Sequence, residues 1–137
     1  MSQVVVDSSA LVAIMTAERS ADWLEERLVE ATDRVIAAPN AVELGIVLEA
    51  KARPDAPVAG VGRRVLRDAG VRVAPFDEEL ADRAVDAWRR FGKGRHPASL
   101  NFGDCCSYAL AEQLAAPLLC VGEDFVRTDL DVLVPPG

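Results

Sequence analysis

The chain has 137 residues, half of them hydrophobic and 27% charged, which fits one globular domain burying about 68% of the surface its unfolded form exposes and excludes a disordered or fibrous protein. A formal net charge of −7 argues against nonspecific coating of nucleic acid, which needs excess positive charge, but leaves room for an enzyme whose acids hold cations. Cys105, Cys106 and Cys120 lack zinc or redox spacing and predict reduced buried thiols, while a start too short for a signal peptide and the lack of an apolar run near ~20 residues predict a cytoplasmic protein.

Residues 3 to 6, Gln-Val-Val-Val, read as a short buried parallel strand closed by Asp7. Ser8 and Ser9 lead directly into a helix, and Trp23, Leu24 and Leu28 mark a second one from about Ser20 to Ala31. Val35 to Ala38 is the next strand, closed by Pro39, with Asn40 expected to cap a helix from Ala41 to about Ala52. A proline-containing loop spans Arg53 to Pro57; a helix follows from about Val58 to Ala69, with Arg63, Arg64 and Arg67 on one side and Gly70 as its stop.

Val71 to Phe76 predicts a strand, and Asp77 begins a helix through Trp88 to about Phe91. The segment from Gly92 to Asn101 is a polar loop, after which Asn101 caps a helix to about Ala115. Pro117 introduces a strand at Leu118 to Val121, Asp124 and Phe125 begin a helical turn, and the last strand covers about Asp131 to Val134. This alternation predicts an α/β fold of three layers, with a mainly parallel sheet of about five strands flanked by helices in one domain over residues 1–137.

Ligands of open parallel sheets bind beyond the carboxyl ends of the strands. Asp7 and Asp124 are expected there, and Glu43 and Asp104 in the first turns of their helices. Each acid has a local alternative: Asp7 as a helix cap, Glu43 as a solvated acid, Asp104 in a capping box with Asn101, and Asp124 as the cap of a terminal turn. Four carboxylates roughly 5 Å apart repel by about 3 kcal/mol per pair at an effective dielectric near 20, so a converged cluster must protonate or bind a cation. Oxygen donors without a suitable thiol pair favour Mg²⁺, with Mn²⁺ as the alternative, over zinc.

The stretches VVVDSSALVAI, PNAVELGIVLEAK, GKGRHPASLNFGDCCSYALA and PLLCVGEDFVRTDL together resemble VapC-type toxins with a PIN domain. The resemblance spans nearly the whole chain. It implies a metal-dependent endoribonuclease of a toxin–antitoxin system, acting on single-stranded RNA, with Asp7, Glu43, Asp104 and Asp124 as its acidic quartet. Asp7 and Asp104 would anchor the metal, and water activated there would hydrolyse the phosphodiester. Ser8 stands where the family often has threonine, and Glu123 adjoins Asp124, so either acid has a claim to the metal. The resemblance further implies a homodimer and a cognate antitoxin, for which Leu11, Ile14, Leu44, Val47 and Leu48 offer an apolar groove if they are not simply core.

Lys93, Arg95 and His96, preceded by Arg89 and Arg90, form a basic stretch just before Asp104 and are the expected RNA contacts. Ser8 and Ser9 are candidates for binding a ligand carboxylate or a phosphate, with helix capping as the alternative. A single histidine rules out a histidine-pair ribonuclease mechanism in a monomer. Trp23 and Trp88 are read as core or interface residues rather than base-stacking platforms. Two other functions compete: a catalytically silent PIN-like module that binds RNA or protein, and an aspartyl phosphoacceptor. The second lacks the further aspartate that its chemistry wants two residues after Asp7, where Ser9 stands.

Overall fold

A computed structural model of the chain describes residues 2–137. Its strands are β1 (Gln3–Val6), β2 (Asp33–Ala37), β3 (Val71–Ala74), β4 (Leu118–Leu119) and β5 (Val132–Leu133); its helices are α1 (Ser8–Met15), α2 (Ala21–Glu30), α3 (Ala38–Lys51), α4 (Val61–Asp68), α5 (Glu78–Phe91) and α6 (Phe102–Leu114). The five strands form one sheet in the order β3-β2-β1-β4-β5, and every pairing is parallel. The expected fold class therefore holds.

Alternation along β1 divides the interior in two. Val4 and Val6 face one cluster, which takes Leu11, Leu24, Leu44, Leu48 and Leu66 from α1 to α4. Val5 faces the other, built with Leu80 and Ala87 of α5 and Cys105, Tyr108 and Leu110 of α6. Side chains of successive strand residues point to opposite faces, so one strand of valines serves two helical layers.

Two helix-end signals operate as read. Asp77 accepts a hydrogen bond from the Leu80 amide at 3.1 Å, and Gly70 ends the turn after α4 with φ +66°. Several boundaries differ. Strands β3, β4 and β5 are shorter than expected. Helix α4 starts at Val61 rather than near Val58, behind Gly60 with φ +78°.

Helix α3 starts at Ala38, with Pro39 in its first turn. Proline suits that position because its missing N–H would be unpaired there in any case. Asn40 is consequently inside the helix and fully buried, not its cap, and Glu43 lies in the second turn rather than the first. Among the described residues no helix is long and apolar enough to cross a membrane.

Candidate active site

The order of the strands creates the site. Chain connections leave β1 toward β2 on one side, while β4 joins β1 on the other, so the carboxyl ends of β1 and β4 are the switch point of the sheet, where parallel sheets bind ligands. Asp7 follows β1 at that edge, and its amide donates to the Leu119 carbonyl of β4 at 2.9 Å. At the same edge, the Val121 amide donates to Ser9 Oγ at 3.1 Å.

Asp7 is 5% exposed. Its Oδ2 accepts from the Ser9 amide at 3.1 Å, capping α1, and its Oδ1 accepts from Ser107 Oγ at 2.6 Å. The capping and site readings of Asp7 are thus compatible, since each uses a different carboxylate oxygen. Burial pushes the Asp7 carboxyl above the usual range against the lowering effect of Ser107 and Ser9, and the nearby Glu43 charge pushes the same way as burial.

Asp104 closes a capping box with Asn101: the Asp104 amide donates to Asn101 Oδ1 at 2.9 Å, and the Asn101 amide donates to Asp104 Oδ2 at 3.0 Å. Desolvation raises its carboxyl to about 6, opposed by the Asn101 amide and reinforced by the charges of Asp7, Asp124 and Glu43. Asp104 therefore feels the charges of the three other expected acids, and Asp7 that of Glu43. Asp124, rather than the adjoining Glu123, contributes to this repulsion. It is exposed, ends a loop after β4, and makes no capping hydrogen bond through its side chain.

Glu43 is half-buried and accepts from Ser8 Oγ at 2.5 Å. Its carboxylate packs over Gly103: a Cβ built on Gly103 would lie 2.9 Å from Glu43 Oε2 and 3.1 Å from Oε1. Beside it, Asn40 Nδ2 donates to the Gly103 carbonyl at 2.9 Å. Ser107 and Gly103 were not singled out from the sequence, and Asn40 was read only as a helix cap. Ser107 had a weak signal, as the polar residue of an otherwise apolar helical run three positions after Asp104; Asn40 gave a misleading one, because asparagine after a strand is usually a cap.

The donor set suits a hard divalent cation. It offers oxygen alone, and its raised carboxyls mark negative charge that a cation would relieve. Burial pushes the Cys105 and Cys106 thiols up to about 11 and the Cys120 thiol up to about 12, so none supplies a thiolate at neutral pH. Among the described residues no three acids, histidines or thiols already converge into a cage. Asp7 and Asp104 instead spend oxygens on Ser107, Ser9 and the Asn101 amide.

The basic loop presents Lys93 and Arg95 to solvent. The Arg95 guanidinium lies over the Trp88 ring, 4.6 Å from its centroid. His96 is engaged within the loop: its Nδ1 accepts from the Ala98 amide at 3.0 Å, and its ring meets Phe91 edge-on. Of the residues considered for an apolar groove, Leu11, Leu44 and Leu48 are buried in the core.

The PIN domain family model matches residues 4–130. Among curated proteins, the chain is 41% identical over 127 residues to a ribonuclease VapC42 of Mycobacterium tuberculosis, covering 92% of this chain and 95% of that one. It is 42% identical over 129 residues to a ribonuclease VapC of Mycolicibacterium smegmatis, covering 92% and 96%. Among solved structures, VapC20 of Mycobacterium tuberculosis, described as a Sarcin-Ricin loop cleaving toxin, superposes with TM-score 0.72 at 18% identity over 97% of this chain and 99% of that one. A toxin-antitoxin complex from Klebsiella pneumoniae gives 0.71 at 15% identity, covering 97% and 98%.

Proposed function

The chain belongs to the PIN-domain family, and from that premise we propose that it is a metal-dependent endoribonuclease, the toxin of a toxin–antitoxin pair, with Asp7, Glu43, Asp104 and Asp124 as its site. The observation that carries this reading is the linkage of Asp7, Glu43 and the start of α6 beside Asp104 through Ser107, Ser8 and Asn40, with the Asp104 carboxyl raised by burial and by the three other acids. Carboxylates crowded at the mouth of a parallel sheet have a use when a divalent cation joins them. Mg²⁺ is the ion that best suits this donor set, with Mn²⁺ as the closest substitute.

Bound there, the cation supplies a Lewis acid that lowers the pKa of water and neutralises charge on the phosphoryl group. Asp7 and Asp104 would hold it, each through an oxygen oriented by a fixed protein donor. Glu43 and Asp124 would complete its surroundings or orient the attacking water. Ser8 restrains Glu43 and Ser9 braces the sheet edge through Val121, which supports structural duties for both hydroxyls. Lys93 and Arg95 would meet RNA phosphates beside the acids; His96, tied to Ala98 and Phe91, would shape their loop.

A cognate antitoxin is the expected partner, in keeping with the toxin–antitoxin relatives, and a second copy of the chain is another. Pairing is supported by a hollow of about 720 Å³ lined by Phe76, Val85, Trp88, Phe102 and Cys105, with Lys93 its one charged lining residue. In a chain of net charge −7, a surface so poor in charge is where two copies meet with least repulsion.

The test is RNA end-mapping after expression of the chain alone, beside Asp7→Asn and Asp104→Asn controls. Discrete new ends and arrested growth are expected from the parent and absent from both variants, while circular dichroism stays unchanged. Full cleavage by Asp104→Asn would overturn the assignment.

A further inference from the structure

The carboxylates of the site are joined by more than proximity. Following the hydrogen bonds from α6, Ser107 donates to Asp7 at the head of α1; the next residue, Ser8, donates to Glu43 of α3; and Asn40, one turn before Glu43, donates back to Gly103 of α6. Residues three apart on a helix share a face, so Asn40 and Glu43 meet α6 together. The circuit returns to the helix it left, next to Asp104. Three of the four acids are in it or adjoin it, whereas Asp124 stands outside on its loop.

Asn40 is the neutral member that closes this circuit, and it is an unusual residue to find there. It is fully buried, its Oδ1 has no hydrogen-bond partner among the described residues, and its position inside α3 removes any capping role. A buried amide left half-satisfied is unfavourable for folding alone. Its retained bond is made to the carbonyl of the glycine on which Glu43 rests.

We propose that Asn40 is a positioning residue, whose amide clamps α3 to the start of α6 and thereby sets the separation of Glu43 from Asp104 for cation binding. This rests on the reading of the acids as a metal site. Without the clamp, α3 loses its side-chain hydrogen bond to α6, and Glu43 is held by Ser8 alone. RNA contacts on the 93–96 loop are untouched, so the effect falls on the metal and on turnover, not on RNA affinity.

The test uses the full chain and Mn²⁺ alone as probe. Mn²⁺ binding followed by electron paramagnetic resonance should weaken about 10–100-fold in Asn40→Ala, the range for loss of a group that orients a ligand. RNA cleavage at saturating Mn²⁺ should lose kcat with KM within about twofold of the parent. If Asn40→Ala does not fold, Asn40→Ser serves: its short hydroxyl turns back to its own helix and gives up Gly103. Unchanged Mn²⁺ affinity and kcat in a folded variant, with only a lower melting temperature, would make Asn40 merely structural and overturn the proposal. If the parent itself binds no Mn²⁺, the metal reading fails and with it cation positioning; amide NMR shifts then tell whether a clamp between Glu43 and residues 103–107 exists at all.

Discussion

Gly103→Ala separates the stability of this protein from its chemistry. Gly103 is the second residue of α6, and alanine is favoured over glycine inside a helix by about 1 kcal/mol. The added methyl would stand 2.9 Å from Glu43 Oε2, 3.1 Å from Oε1 and 3.3 Å from Cδ. Ordinary contact requires the carboxylate to retreat by roughly half an ångström, and Glu43 has a flexible stem and a partly exposed position from which to do so. The two effects oppose each other in stability, and the melting temperature should move by no more than roughly 4 °C in either direction.

Activity has no such compensation on the proposed reading, in which the group that retreats belongs to the site. Displacements of this order in a positioned group cost about 10- to 100-fold in rate. Differential scanning calorimetry of the metal-free protein, Mn²⁺ titration and RNA cleavage on one preparation separate the terms. The expected result is a near-parental melt with cleavage at least tenfold lower. Parental cleavage would refute the placement of Glu43 in the site, and a melt lowered by 10 °C or more would mean that Glu43 cannot yield as its contacts imply.

Because the Asp7 and Asp104 carboxyls are raised above their unfolded values, their contribution to stability is present at acid pH and is lost as pH rises. For Asp104 the window runs from about 4 to just above 6. Metal-free melting temperatures should fall across that window, Mg²⁺ should restore them at neutral pH, and Asp104→Asn should flatten the profile; a metal-free melt that rises from pH 4.5 to 7 in proportion to the acids ionised would contradict this. Ser107→Ala removes the hydroxyl that Asp7 accepts, a buried bond to a charged group worth about 1.5–3 kcal/mol, so thermal melts should drop by roughly 5–10 °C. Mn²⁺ affinity should fall with it, whereas Ser107→Thr, which keeps the hydroxyl, should lose less.

The strands and helices of this chain were legible, and its candidate acids could be nominated, because each rests on short-range signals. Val4, Val5 and Val6 ending in an aspartate spell a buried strand that stops at the sheet edge, and Asn101 with Asp104 spells a capping box that is present as read. Asn40 went the other way. Its local signal, an asparagine after a strand and a proline, was that of a cap, but Pro39 fits the first turn of α3 and carries Asn40 inside. What α3 packs against then decided its partner.

By itself, the sequence determined which residue types stand at which strand and helix ends, hence the parallel α/β layers, and it nominated the four acids proposed for the site. Only the tertiary structure decided that β4 lies beside β1, that Ser107 donates to Asp7 across 100 positions of chain, and that a missing Cβ at Gly103 makes room for Glu43. Propensity and periodicity act over a few residues, while a hydrogen bond between remote segments depends on how helices settle on a common sheet. That settling is governed by the summed packing of both cores, which no single stretch of residues encodes.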